Sequence, residues 1–436
     1  MKISKPDKKN RALEIVRAAK TDRTHAERLT LAYVQDINPK LGAKTVTILE
    51  SKLSLNSVIG RITTNNRTYF FKFHAEENET ETLNNTEYYN AQLLSDLGLP
   101  MILPIFKNSE PGSQFVLYDY ITAPTAFDKY EEQELRYFET GTYDTKQVRA
   151  LLSAESKLCR KIQDAYQSSL ELTKSVTVAR ASLNQLFFTR LAGTGNNPPR
   201  LELYYLNQTV TLPDRTSVPF NELMKMYWVI NGIRYEETLD DLIEKAKDLL
   251  DPRKEALVPT VIGHGDDHNG NKFFVGDEFL SFDPAFAGRQ QALLSFVKST
   301  VHNTLLHPFW RYDPNRLEGK LEISVAVSGN EIRVSHNWET EKLSPLRIEI
   351  LNLYAKEVWV PLIQELTQKG WLPSYWKEYL RAAFFCCPFL VKNLIDPKVY
   401  TPPQSLLALA KCVEIGSKSL KETAVEKFLA SIEKRL

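Results

Sequence analysis

His264-Gly265-Asp266-Asp267-His268-Asn269-Gly270-Asn271, followed downstream by Phe282-Asp283-Pro284, is the stretch that decides how this 436-residue chain is read. Asn271 stands five positions after Asp266. A loop with that spacing holds a carboxylate toward a hydroxyl and, a turn later, aims an amide oxygen at a hard cation. Lys272-Phe273-Phe274-Val275 and Phe279 to Asp283 read as two short apolar strands around the turn Gly276-Asp277-Glu278. Such a hairpin folds Asp283 back beside Asn271. Pro284 biases its predecessor toward extended geometry, so Asp283 is expected extended at a strand end, its carboxylate projecting beyond the sheet. Asp266, Asn271 and Asp283 together predict phosphotransfer chemistry.

The upstream half supplies matching parts in order. Val58 to Thr64, Asn65-Asn66 and Arg67 to His74 read as strand, turn and strand, with Lys72 among Tyr69, Phe70, Phe71 and Phe73. Alone, a lysine on an aromatic strand reads as an edge-strand solubility device; with the downstream loop it reads as a phosphate ligand. Thr86 is placed to cap a helix through Glu87 to Leu94 that stops at Gly98 before Pro100. Gln114 to Ile121 reads as a further strand. Ser51 to Gly60 contains no Gly-x-Gly-x-x-Gly, and its polar members Ser54, Asn56 and Ser57 are the donors available to phosphate oxygens. His264 and His268 read as hydrogen-bonding braces of the loop rather than ligands, and Asp267 as an exposed loop carboxylate.

Read together, these segments resemble the aminoglycoside phosphotransferase and choline kinase group of small-molecule phosphotransferases, whose catalytic loop usually runs His-Gly-Asp-x-His-x-x-Asn. All of those letters are present from His264 to Asn271. Relative to the protein-kinase loop His-Arg-Asp-x-x-x-x-Asn, Gly265 replaces the Arg, and Pro284 follows the metal Asp where protein kinases have Phe. The resemblance implies a protein kinase-like α+β fold of two lobes. A small antiparallel-sheet lobe with one key helix would precede a large, mainly helical lobe with β insertions. It also implies ATP or GTP with Mg²⁺, Asp266 as catalytic base, Asn271 and Asp283 as metal ligands, and Lys72 on the nucleotide phosphates. Glu87 is matched to the glutamate that pairs with Lys72, with Glu76, Glu77, Glu79 and Glu81 as competitors. Asp119 to Ile121 is matched to the lobe connection that meets adenine.

Composition agrees. At 43% hydrophobic and 25% charged residues the chain can bury a full core. With 55 basic against 54 acidic residues, net charge gives no reason to propose nucleic acid or an anionic membrane as partner, although a local basic patch is compatible with it. The N-terminal segment is charged without an apolar run, and no run reaches membrane-spanning length, so a cytoplasmic protein is expected. Cys159, Cys386, Cys387 and Cys412 have neither zinc spacing nor a disulfide pattern. Phe384 to Pro388 reads as buried helix ending at the proline.

The domain reading is a helical extension over 1–44, a nucleotide-binding lobe over 45–122 and a helical lobe over 123–436. Residues 8 to 37 form one amphipathic helical extension in that reading. Arg200 to Phe220, with Leu201 to Tyr205 as strand, and Leu321 to His336 read as β insertions. Two alternatives accompany the small-molecule kinase: a kinase-like nucleotide-binding protein of little activity, and a metal-dependent phosphohydrolase.

Overall fold

The computed structural model describes residues 8–49, 58–74, 90–108, 110, 113–193, 198–339, 342 and 344–436. The first two helices, α1 (Lys8–Thr21) and α2 (Arg23–Ile37), are separate where one continuous helical segment was expected. Asp22 causes the break: it is extended, and its carboxylate accepts from the His25 N–H at 3.0 Å as the N-cap of α2. The amphipathic pattern persists on both sides. Ala12, Ile15, Tyr33 and Val34 share one apolar core with Phe71, Phe73 and Phe115 of the neighbouring sheet.

That sheet contains β1 (Thr45–Ile48), β2 (Val58–Thr63), β3 (Thr68–His74), β4 (Phe106–Asn108) and β5 (Gln114–Asp119). Its order is β1-β2-β3-β5-β4, antiparallel throughout. Lys72 pairs with Ile59 on one side and Val116 on the other, so β3 is central and the edge-strand reading of this lysine is excluded. The helix α3 (Ala91–Asp96) lies between β3 and β4 in sequence.

Beyond the sheet, α4 (Ala126–Thr140) starts at a capping box between Thr125 and Asp128. It is followed by α5 (Thr145–Ser169), capped by Asp144 and buried along Leu151, Leu158, Ile162 and Ala165. A short sheet then crosses the helical part, made of β6 (Glu171–Lys174), a later strand Leu257–Gly263 and Gly288–Gln291.

The first expected β insertion is partly helical. Arg200–Tyr204 forms a helix, and only the hairpin of β7 (Thr209–Thr211) and β8 (Ser217–Pro219) is strand. Leu201 and Tyr205 are buried while Glu202 and Leu203 stay outside, a helical spacing that alternation alone mimics over five residues. The second insertion has a partner that sequence reading missed. β9 (Tyr227–Ile230) and β10 (Ile233–Arg234) join Ile323–Ser328 and Glu331–His336 in a four-stranded sheet, with β9 parallel to Glu331–His336.

The carboxy-terminal helices close the core. Trp376–Val391 continues through Pro388 instead of ending there. Its last carbonyls are taken by tertiary donors: the Tyr205 hydroxyl donates to Phe389 O at 2.7 Å and Arg200 to Leu390 O at 2.7 Å. The proline withholds an N–H only from the Phe384 carbonyl, and the helix, buried at every residue from Tyr379 to Leu390, is held by its packing. All four cysteines are buried and free. No helix among the described residues is long and apolar enough to cross a membrane.

Gly60 shows how tightly the sheet is layered. A Cβ there would lie 2.3 Å from Thr47 O and 2.5 Å from the Phe71 ring. Gly60→Ala is expected to lower stability by about 1–3 kcal/mol, because β1 must move off β2. Urea unfolding with an unchanged midpoint would contradict this packing.

Candidate active site

Strand β11 (Leu257–Gly263) delivers the loop His264–Asn271 at its carboxyl end. Gly265 has φ +78, and a Cβ there would meet Phe286 O at 2.7 Å and Gln290 Oε1 at 2.9 Å. Only glycine suits that turn, which accounts for Gly265 in the motif. The loop ends in one 3₁₀ turn, Asn269–Asn271, capped by His268, whose Nδ1 accepts from the Gly270 N–H at 3.0 Å. His264 Nε2 lies 2.9 Å from Phe282 O. Both histidines are therefore braces, as their sequence context suggested.

The hairpin of β12 (Lys272–Val275) and β13 (Glu278–Ser281) turns at Gly276-Asp277, both at positive φ. It returns the chain beside the loop: the Phe282 N–H donates to Asn271 O at 2.9 Å, and Asn271 Nδ2 donates to Asp266 O at 2.8 Å. The amide nitrogen of Asn271 is thus committed, leaving its oxygen as the group for a cation. Asp283 follows at φ +56. It is not extended as Pro284 suggested, because the backbone must turn sharply once Phe282 is held at both N–H and carbonyl. A left-handed residue other than glycine costs on the order of 1–2 kcal/mol, least for Asp and Asn.

Lys72 reaches across from the sheet and its ammonium donates to Asp283 Oδ2. Asp283 Oδ1 is buried without a hydrogen-bond partner. Asp266 Oδ1, 3.2 Å from Lys298 Nζ, is likewise secluded. Burial pushes the Asp266 carboxyl up, but Lys298, His268 and His264 outweigh it and hold the group below the ordinary carboxylate value. Asp266 is therefore an anion at neutral pH. The unpartnered Oδ1 of Asp283 and the amide oxygen of Asn271 are oxygen donors of the kind that suits Mg²⁺.

Asp267 is buried, contrary to its reading as an exposed carboxylate. It accepts from Ser281 Oγ at 2.9 Å and lies 3.9 Å from Lys272 Nζ. Lys272 also meets Glu155 at 3.3 Å, and Glu155 accepts from the hydroxyls of Tyr130 and Tyr354. Burial pulls the Lys272 ammonium down, yet Glu155 and Asp267 overcome it and raise its pKa. Neither this buried group nor Lys298 was anticipated. Lys298 left one signal, being the single charged residue in the run Ala292 to Val301.

Other expected residues fall differently. Asp119 is the exposed last residue of β5, and Ile121 lies in the link to α4, between the sheet and the helical part. Ser54, Asn56, Ser57 and Glu87, with the competing glutamates 76 to 81, lie outside the described residues. Within them, Asn90 Nδ2 donates to Ala287 O at 2.9 Å, tying the start of α3 to the segment after Asp283.

Burial holds the His268 imidazole down at about 4, with Asp266 opposing and Lys298 assisting. The unfolded chain binds this proton near the ordinary 6.5 and the folded one does not. Stability from this group is therefore complete above pH 6.5 and lost as pH falls toward 4. His268→Asn keeps an acceptor for the Gly270 N–H and is expected to reduce that pH dependence by about one proton near pH 5. Equal slopes for wild type and variant in pH-resolved urea unfolding would assign the effect elsewhere.

No family model matches this sequence, and no curated protein matches it. Solved structures similar to the chain include a spectinomycin phosphotransferase in complex with ADP and spectinomycin, at 13% identity, 94% of this chain, 99% of that one and TM-score 0.41. An amicoumacin kinase with AMP-PNP and Ca²⁺ is similar at 12% identity, 85% and 87% coverage and TM-score 0.43. An aminoglycoside phosphotransferase is similar at 10% identity, 89% and 99% coverage and TM-score 0.42. At these values the chemistry of the site stands on the chain's own residues.

Proposed function

We propose that this chain is a phosphotransferase that moves the γ-phosphoryl group of ATP or GTP to a hydroxyl of a small molecule. The observation that carries the reading is the convergence of Asp266, Asn271 and Asp283 on one loop and hairpin, with Lys72 of the sheet against Asp283. Phosphoryl transfer needs little covalent help from a protein; positioning and neutralisation of phosphate charge supply most of the acceleration. Lys72 is the cation for the phosphates. Asn271 and Asp283 would hold Mg²⁺, which when bound offsets the charge on the phosphate oxygens.

In the transfer, the acceptor oxygen bonds to the γ-phosphorus as the bond to the nucleoside diphosphate breaks, and Asp266 takes the hydroxyl proton. Its depressed pKa is compatible with that task, because the proton leaves late in a loose transition state. Lys298 keeps the Asp266 carboxylate ionised and oriented. A phosphohydrolase built on several histidine ligands is disfavoured, since no group of three or more His, Cys, Asp or Glu side chains among the described residues is placed to hold a metal ion.

Two expectations follow. Nucleotide with Mg²⁺ at about 100 times its dissociation constant should stabilise the wild type by roughly 2.7 kcal/mol in a thermal shift, and Asp283→Ala should lose that shift. Absence of any nucleotide shift in wild type would overturn the reading. Asp266→Asn should retain the shift while losing at least about 100-fold in transfer rate; equal rates would remove Asp266 from the mechanism.

A further inference from the structure

Resting on that reading, we infer that the acceptor is an anionic hydroxyl compound, bound through a carboxylate or phosphate by Arg311, Arg190 and Lys392 on the helical side of Asp266. The first observation is Arg311. It is 0% exposed, none of its three guanidinium nitrogens has a carboxylate or carbonyl partner, and a polar neighbour it does have is the Tyr400 hydroxyl. A buried cation without such acceptors is among the costliest arrangements a core can hold, and its planar fork matches a carboxylate or phosphate in two-point contact.

The second observation is the company it keeps. The Arg311 guanidinium lies 5.3 Å from the centre of the Tyr312 ring, and Lys392 Nζ lies 5.8 Å from the same ring. The Tyr312 hydroxyl meets His302 Nδ1 at 2.8 Å, while His302 Nε2 is buried and unpartnered. The Cys387 thiol is within electrostatic reach of Lys298, Asp266, Arg311 and Arg190 at once. Arg190 and Lys392 each keep part of their surface exposed.

Nearby carboxylates offset it only in part: Asp313 acts on Lys392 and Asp266 on Arg190, and among the described residues no ion pair joins a carboxylate to Arg311. Asp266 is engaged by Lys298 at 3.2 Å, and Asp313 lies 3.3 Å from Arg316. Burial and the neighbouring Arg200 bring the Arg190 guanidinium down to about 10; burial and Arg311 bring the Lys392 ammonium down to about 8. Of the three, the Lys392 ammonium is the one disfavoured by a neighbour in the cluster, Arg311. An acceptor carrying an ammonium group would meet like charge here, whereas an oxyanion seated on Arg311 would leave its hydroxyl end to Asp266.

The test is a thermal-shift titration of the full chain with inorganic phosphate and with succinate, each against chloride at matched ionic strength, with Mg²⁺ and AMP-PNP present. At least one anion should raise the melting temperature, and the one that does identifies the group as phosphate or carboxylate. Arg311→Met should weaken that binding at least about tenfold. Because a buried substitution risks the fold, the partly exposed Lys392→Gln and Arg190→Gln provide the same comparison with smaller losses. Neither anion binding, anion binding unchanged in all three variants, or a shift abolished by AMP-PNP would overturn the inference. Failure here with an intact Mg²⁺-nucleotide shift would leave the phosphotransferase reading standing; loss of that shift with anion binding retained would do the opposite.

Discussion

The buried pair of Lys272 and Glu155 is the interaction on which the catalytic region depends. Both side chains are 1% exposed, in the layer beneath the loop. Lys272 immediately follows Asn271 and opens the hairpin that returns Asp283, while Glu155 belongs to the long helix α5. Tyr354 and Tyr130 donate to the same carboxylate, so four elements meet at one charge. Removing a single partner of such a pair costs about 3–5 kcal/mol, because the survivor is left charged in a dry interior. The cost of burial is thereby converted into a fixed position for the loop.

A second buried pair secures the other side. Glu134 of α4 accepts from Arg347 and Ser344, and Arg347 also donates to Asn303 O and Leu306 O at 3.0 Å. Burial pushes Glu134 up, but Arg347 and His307 bring it below its ordinary value. The carbonyls that accept from Arg347 belong to the π-helical turn Val301–Leu305 and the residue after it. That turn lies between Lys298 and Arg311 in the chain, so its geometry bears on how the two cations are presented. Widened turns of this kind recur at functional sites, where they re-aim side chains at a cost in helix regularity.

Between the sheet and the helical part the contact is of a different nature. Lys72 and Asp283 are 14% and 24% exposed, a polar junction rather than a dry one. Around it the backbone is continuous: Ile102 N–H donates to Ser281 O at 2.8 Å and Ser281 N–H to Pro100 O at 2.8 Å. The proline after Gly98 therefore leads directly onto the hairpin that carries Asp283. The site combines a braced loop with a junction in which charge is only partly withdrawn from water.

Local chemistry made much of this legible. The five-residue spacing from Asp266 to Asn271, the Gly276-Asp277 turn and the aromatic strand around Lys72 each have a mechanism that acts within a few residues, so sequence alone determined the loop, the hairpin and the antiparallel sheet. It also determined that His264 and His268 brace the loop, since histidines so close to it find backbone partners first. Tertiary structure decided the rest. Asp283 turns left-handed because Phe282 is held from two sides, Asp267 is drawn inward by Ser281 and Lys272, and Pro388 stays helical within a helix buried on both sides of it. Lys298 and Glu155 reach the loop and hairpin from other helices. Their roles depend on which charges burial brings together, and no local pattern records that.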